Sequence, residues 1–146
     1  MEKTAHKIPV PENDQRIVIR FEDGIYGFED IKDYVLLQED DSQVIWTLQA
    51  AYSSCPSFIA VNPFLLLKDY APQLTEEDYH RLGDPKEEDL CFLVIAIIRR
   101  NLPDSAVNLK SPVVINAKTR TGRQIIMEDT DYPVRYRPFA DRARTE

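Results

Sequence analysis

The sequence predicts a single, mainly β domain: a small antiparallel β-barrel or sandwich-like fold with one or two short helices. Three observations lead to this fold class. Seven to nine short segments have strand-like hydrophobic patterns, one segment has a clear helical signature, and the strand–helix alternation of parallel sheets is absent. The 146 residues, 43% of them hydrophobic, are enough for one core and too few for two domains.

The first strand is predicted at Arg16–Phe21, where apolar and charged residues alternate. A period of two directs Ile17, Ile19 and Phe21 toward the core, because successive side chains of a strand point to opposite faces.

Three further strands follow in the first half of the chain. Trp46, in the middle of one of them, is expected to anchor the core. Pro63 holds Asn62 in an extended conformation and ends the last of the three. The apolar run Phe64–Leu67 fits either an edge strand or a loop that covers the core. The three strands are predicted at Tyr34–Gln38, Val44–Ala50 and Ser57–Asn62.

The clearest helix in the sequence is predicted at Thr75–Leu82. Thr75 suits the N-cap, and Asp78 lies three residues later, where its carboxylate can complete a capping box. Gly83 follows the last helical residue, at the position where a left-handed conformation often ends a helix.

The second half of the chain predicts more strands. Leu90–Ile98 is continuously apolar and rich in β-branched residues, as expected for a central strand that is covered on both faces. Val113–Asn116 and Gln124–Met127 are predicted to form a hairpin with Gly122 in its turn. Tyr132–Tyr136 is interpreted as a final edge strand.

The domain is predicted to span 15–138, between flexible tails at 1–14 and 139–146. The first residues lack the apolar region of a signal peptide. The longest apolar run, Leu90–Ile98, is far shorter than the ~20 residues needed to cross a bilayer. Two cysteines, Cys55 and Cys91, fit a reducing compartment. We therefore expect a cytoplasmic protein without a membrane partner.

The net charge of −7 is distributed unevenly. Glu22–Asp41 holds eight acids and one base, and Asp69–Asp89 holds eight acids and two bases. Arg99–Arg123 reverses the balance with six bases and one acid. The acidic blocks are either solvated loops that favour solubility or a face that attracts basic partners and repels polyanions. Direct nucleic-acid binding is disfavoured, because phosphate contacts need a positive surface.

The sequence offers little to support catalysis or metal binding. His6 and His80 have no nucleophile at a defined spacing, and the glycine-rich patterns that bind phosphate are absent. Glu128, Asp129 and Asp131 lack the spacing of a calcium loop and are better explained as a solvated turn. We predict no enzymatic activity, no cofactor and no metal.

Binding of a partner is the remaining kind of function, and aromatic residues in loops are candidates for the contact residues. Tyr26, Phe28, Phe64 and Tyr70 lie beside predicted turns. They fit either interface anchors or side chains that cap the ends of a barrel.

Six segments, in order along the chain, resemble the bacterial flagellar assembly factor FliW family. The first reads GIYGFE, with Tyr26 where the family has proline, and the others include VNPF, an acidic helix ending in LG, and VNLKSPVVIN. The similarity covers about Arg16 to Pro138. The six segments are Gly24–Glu29, Val61–Phe64, Thr75–Gly83, Val107–Asn116, Gly122–Met127 and Tyr132–Arg135.

The resemblance implies a small β-barrel-like, non-enzymatic protein of the cytoplasm. Proteins of this family bind flagellin in a chaperone-like manner, and they bind the translational repressor CsrA away from its RNA-contact surface. Flagellin captures the family member, so that secretion of flagellin frees it to relieve repression of flagellin translation. The resemblance thus implies two protein partners, flagellin and CsrA, and we expect a monomer when neither is bound.

We predict that the partner surface combines the acidic helix, the VNPF loop and the adjoining acidic–aromatic pair. The alternative function is direct RNA binding by the basic Arg99–Arg123 segment. The predicted partner-binding residues are Asn62, Pro63, Phe64, Asp69, Tyr70, Glu76, Glu77 and Asp78. The RNA-binding alternative uses Arg99, Arg100, Lys110, Lys118, Arg120 and Arg123.

Overall fold

A computed structural model describes residues 17–38 and 44–140 of the chain, which form eight strands and one short α-helix. The predicted tails, apart from residues 139 and 140, and the predicted turn at 39–43 lie outside the described residues. The elements are β1 (Val18–Phe21), β2 (Asp33–Gln38), β3 (Ile45–Ala50), β4 (Ser57–Val61), α1 (Glu76–Arg81), β5 (Leu90–Ile97), β6 (Ala106–Val107), β7 (Val113–Asn116) and β8 (Thr121–Gln124), with short 3-10 turns at Pro63–Leu65, Glu87–Asp89 and Leu102–Asp104.

Seven strands close into a barrel, which confirms the predicted fold class. The order around the barrel is β4-β3-β2-β1-β8-β7-β5, and pairing of β4 with β5 closes it. Every pairing is antiparallel except β1 with β8, which is parallel. The short β6 adds to the far end of β5, where Ile97 pairs with Ala106. Closure leaves few unpaired strand edges within the described residues.

The interior of the barrel forms an inner core. Ile17, Ile19 and Phe21 are all buried, as their alternation with Val18 and Arg20 predicted. Trp46 is 1% exposed and lies among them. The strand β3 that carries it buries Leu48 and Ala50 on the same side.

A second, outer core lies on the opposite face of β5 and β7. Phe92 and Val94 of β5 and Val114 of β7 point outward, and the chain segment from Phe64 to Leu82 covers them. The covering side chains include Tyr70 and Leu82, which are 4% and 0% exposed. Two covered faces explain why β5 is apolar throughout, as predicted for a central strand.

The helix prediction is confirmed with its caps. The Thr75 hydroxyl accepts a hydrogen bond from the Asp78 N–H at 3.1 Å, and the Asp78 carboxylate accepts one from the Thr75 N–H at 2.9 Å. Gly83 has a φ of +85°, the left-handed conformation expected after the last turn. Asn62 is extended before Pro63, as predicted.

The hairpin is present, but the position predicted for its second strand is wrong. β8 covers Thr121–Gln124, not Gln124–Met127, and Gly122 lies inside the strand instead of the turn. The Asn116 side chain accepts from the Lys118 N–H at 3.0 Å and holds the turn, while Arg120 takes the left-handed position with a φ of +60°. Gly122 is required elsewhere, because it pairs with Phe21 of the neighbouring β1 and lies against its ring.

One more strand prediction is corrected, and one segment with two open alternatives is decided. Tyr132–Tyr136 is not a strand within the described residues but forms a single bridge, in which Tyr136 and Val107 exchange hydrogen bonds of 2.8 and 2.9 Å. Phe64–Leu67, for which two possibilities were open, begins in a 3-10 turn and continues as a loop over the outer core. The sequence analysis did not predict β6, because two residues are too few to show the alternation of apolar and polar side chains that marks a strand.

Candidate partner-binding surfaces

Helix α1 is fixed to the barrel by a network of ion pairs. Arg81 Nη2 lies 2.7 Å from the Asp23 carboxylate, in the loop after β1. Arg123 of β8 pairs with the same carboxylate through Nη1 and with Asp78 Oδ1 through Nε at 3.1 Å. The network connects three elements that are distant in sequence, so it sets the position of the helix on the barrel.

Arg123 is the most buried cation of this network, with a side chain 22% exposed. Burial lowers the pKa of its guanidinium, but the Asp78 hydrogen bond and the charges of Asp23 and Asp78 outweigh burial and raise the pKa overall. Arg123 therefore stays charged and committed to these two carboxylates.

The network also brings the two acidic blocks of the sequence together. Asp23 belongs to the first block and α1 to the second, and Arg81 joins them directly. Around this junction the carboxylates of Glu76, Glu87 and Glu88 are exposed and have no ion-pair partner among the described residues, whereas Glu77 lies 3.8 Å from Arg81. We call the exposed acids Glu22, Glu76, Glu77, Glu87 and Glu88 the acidic surface; Glu22 lies 3.4 Å from Arg20.

The VNPF loop lies beside α1. The Asn62 side chain accepts from the Phe64 N–H at 3.0 Å and starts the 3-10 turn. The half-buried Phe64 ring packs edge-on against Tyr70 and Phe92, each with ring centroids 5.9 Å apart. A cleft of about 200 Å³ separates this cluster from Tyr79 of the helix. The loop and the helix, predicted as parts of one surface, are thus neighbours.

Five of the eight predicted contact residues are fully or partly accessible. Asp69, Glu76 and Glu77 are exposed, so they are available to a partner. Asn62 and Phe64 are partly exposed.

The side chains of Pro63, Tyr70 and Asp78, also predicted to bind a partner, are already used within the fold. Pro63 is buried, and Tyr70 is 4% exposed with its hydroxyl donating to the Leu109 carbonyl at 2.6 Å. Asp78 is committed to Arg123. These three side chains stabilise the VNPF loop and α1, because they are buried in the core or paired with another residue of the chain.

The remaining loop aromatics lie at one open end of the barrel. Tyr26 is 51% exposed and Phe28 is 43% exposed. Phe28 packs edge-on against Phe58 with ring centroids 5.5 Å apart. Phe28 therefore covers the barrel end, while Tyr26 projects from it.

Sequence reasoning missed a groove at this end of the barrel. The groove has a volume of about 500 Å³ and is lined mainly by apolar side chains, among them Ile25, Phe58, Ile95 and Ile97. We call it the barrel-mouth groove. Its residues come from several strands and loops, so no local pattern predicts the groove as a whole. The one local sign of an exposed apolar site was the pair Ile97–Ile98, which directly precedes Arg99 and Arg100.

The basic segment does not form one surface. Arg99 and Arg100 follow the end of β5, whereas Lys118 and Arg120 lie in the β7–β8 turn, next to Asn116, which pairs with Leu90 at the start of β5. The length of β5 separates the two pairs by about 23 Å. Lys110 donates to the Thr130 carbonyl at 3.3 Å. A continuous phosphate-binding track would need these cations on one face.

Neither a metal centre nor a membrane span is found in the described part of the chain. Residues 17–38 and 44–140 contain no group of three or more His, Cys, Asp or Glu side chains placed to hold a metal ion. The same residues contain no helix long and apolar enough to cross a membrane.

Comparison with known proteins gives one consistent result. The family model described as FliW protein matches residues 2–138. The flagellar assembly factor FliW of Caldicellulosiruptor saccharolyticus is 37% identical over 122 residues, covering 84% of this chain and 80% of the relative. That of Clostridioides difficile is 34% identical over 116 residues, covering 80% and 89%. A crystal structure of the flagellar assembly factor FliW superposes with a TM-score of 0.78 and 31% identity, covering 90% of this chain and 89% of the other.

Proposed function

The chain belongs to the FliW family of flagellar assembly factors, and we propose that it acts in the cytoplasm by binding flagellin and antagonising the translational repressor CsrA. It is a regulatory binding protein without enzymatic activity, and it is a monomer when neither partner is bound. Flagellin and CsrA compete for it, so the amount of unsecreted flagellin controls how much of the chain is free to relieve repression.

The acidic surface is the observation that carries this proposal. The Arg81–Asp23 contact joins the two acidic blocks of a chain whose net charge is −7. Glu76, Glu87 and Glu88 of this surface have no ion-pair partner among residues 17–38 and 44–140 and can attract a basic partner. A repressor that binds RNA must present basic groups to phosphates.

Charge also supplies a mechanism of antagonism. When the acidic surface lies beside a basic RNA groove, its field repels the incoming phosphates. Such repulsion acts over about one Debye length, ~8–10 Å in ordinary salt. RNA is displaced without any need for the chain to occupy the RNA contacts themselves.

The test combines charge neutralisation with an RNA competition assay. We expect Glu76→Gln with Glu77→Gln to weaken CsrA binding roughly three- to tenfold and to reduce displacement of RNA, with the wild-type effect fading as salt rises. The matched control is Asp104→Asn with Asp131→Asn, which removes the same charge from exposed positions outside both acidic blocks; Asp104, like Glu77, has one arginine partner. Equal loss in both double variants, or antagonism that salt does not change, would contradict the electrostatic mechanism.

Partner exchange is tested separately. Adding purified flagellin to the preformed complex with CsrA should release CsrA and restore RNA binding. A chain that binds neither protein, at low salt and at micromolar concentrations of each, would refute the proposed function as a whole.

A further inference from the structure

We propose that the barrel-mouth groove is a second docking site, which binds a partner polypeptide through a bulky apolar side chain flanked by carboxylates. This inference goes beyond the proposed function, which rests on the acidic surface and on basic partners. The second site has the opposite charge preference and lies at an open end of the barrel.

The floor of the groove suits an apolar occupant. Gln124 lines the groove, is 9% exposed, and has hydrogen-bond partners for both its carbonyl oxygen and its amide nitrogen. Its carbonyl oxygen accepts from the Tyr26 N–H at 3.0 Å, and its amide nitrogen donates to the Ser111 carbonyl at 3.2 Å. An apolar side chain above it therefore leaves the hydrogen bonds of Gln124 in place, so it avoids the cost of an unsatisfied buried group.

The rim of the groove extends the apolar area onto the surface. Tyr26, Ile97 and Val134 are 51%, 49% and 55% exposed and all line the groove. Exposed apolar side chains gathered around a concave site are typical of protein–protein contacts, in which a side chain fills the pocket and its neighbours cover the rim.

The arginines around the groove indicate which charge the bound polypeptide should carry. Arg135 lines the groove, and Arg99 and Arg100 lie two and three residues after Ile97, which also lines it. The Arg99 N–H donates to the Ser105 hydroxyl at 2.7 Å, which holds this backbone beside Ala106 in the groove wall. None of the three arginines has an ion-pair partner among residues 17–38 and 44–140, whereas the nearby Arg137 pairs with Asp104 at 3.2 Å. Free arginines in an acidic chain favour carboxylates beside the apolar side chain.

The charge of the site also selects against a two-fold contact between the grooves of two copies of the chain. A two-fold contact through the groove would bring the same three arginines of both copies together, and like charges at an interface disfavour association. A separate acidic polypeptide meets no such repulsion.

The experiment uses the full chain and three short acetylated, amidated peptides followed by amide NMR. The first peptide has a leucine–phenylalanine pair flanked by glutamates, the second replaces the pair by alanines, and the third replaces the glutamates by lysines. We expect saturable shifts with the first peptide alone, at amides of Tyr26, Ile97, Gln124 and Val134. Arg135→Glu should weaken this binding about tenfold, while Lys118→Glu, the same charge change at the opposite end of the barrel, should leave it within about twofold.

Several outcomes would overturn the inference. They are the absence of saturable shifts at millimolar peptide, equal binding of the alanine peptide, shifts confined to α1, or equal weakening by Arg135→Glu and Lys118→Glu. Self-association that Arg135→Glu abolishes would identify a second copy as the occupant and would also overturn it. The result is independent of the CsrA assay, in which Glu76 and Glu77 are changed, so failure of either proposal leaves the other measurable.

Discussion

At the scale of single residues, Gly122 shows how one position joins two strands. A Cβ at this position would lie 2.5 Å from Cζ of Phe21 and 3.0 Å from Cγ2 of Ile19. Both neighbours are 0% exposed and belong to the inner core, so neither has free space to move into. The missing side chain allows β1 and β8 to pair in parallel and close the barrel.

We predict that Gly122→Ala destabilises the protein by roughly 1–3 kcal/mol, because the added methyl group overpacks the core. The free energy of unfolding, measured by urea denaturation, checks this. Combination with Phe21→Leu should recover part of the loss, since the two changes are coupled through one contact. Additive losses in the double variant would show that the methyl group does not meet the Phe21 ring.

At the scale of elements, α1 depends on its ends and its ion pairs. Six residues are too few for a stable helix in isolation, and none of those six is buried. The helix is held by the Thr75–Asp78 capping box, by Arg81 and Arg123, and by the buried Leu82 at its C-cap. The positions of Glu76 and Glu77 therefore depend on residues that lie outside the acidic surface.

We expect Thr75→Ala to cost about 1 kcal/mol of local stability, because it leaves the Asp78 N–H without its acceptor. Hydrogen exchange should become faster for α1 amides and stay unchanged for β5 amides. Thr75→Ser keeps the hydroxyl and serves as the matched control. Unchanged exchange in the alanine variant would show that the ion pairs alone hold the helix.

At the scale of the whole molecule, each of the two cores contains a titratable group that must stay neutral. Cys91 is in the inner core, where burial first and then the charge of Asp89 raise the pKa of its thiol from 9.0 to about 12. Tyr70 is in the outer core, where burial and the neighbouring Tyr132 raise the pKa of its hydroxyl. In both cases the folded state retains the proton more strongly than the unfolded chain.

Stability should therefore fall as the pH rises above about 9. Below pH 9 both states are protonated at Cys91 and its contribution is fully present; between pH 9 and about 12 the unfolded chain alone loses the proton. Each such group then lowers the free energy of unfolding by up to about 1.4 kcal/mol per pH unit. Urea denaturation at stepped pH measures the slope.

Two tyrosine variants make this test specific. Tyr70→Phe should flatten the alkaline decline, although it also removes the hydrogen bond to Leu109. Tyr52→Phe, at a side chain 80% exposed, should leave the slope unchanged. A stability that stays constant from pH 8 to pH 11 would contradict the assignment of both groups to closed cores.

The sequence by itself determined the fold class and most of the elements. Alternation in β1, the unbroken apolar run of β5 and the capping pair Thr75 and Asp78 are local patterns, and each was found where it was predicted. The six ordered segments predicted the family for the same reason, because they can be recognised without knowledge of their contacts.

Tertiary structure decided the register of β8, the burial of Tyr70 and both candidate surfaces. Gly122 was assigned to a turn because its real constraint, the ring of Phe21, is distant in sequence. The acidic surface depends on an ion pair between Asp23 and Arg81, and the barrel-mouth groove is assembled from several strands and loops. A local pattern depends on residues that are close in sequence. These features depend on contacts between distant segments, which only the closed barrel brings together.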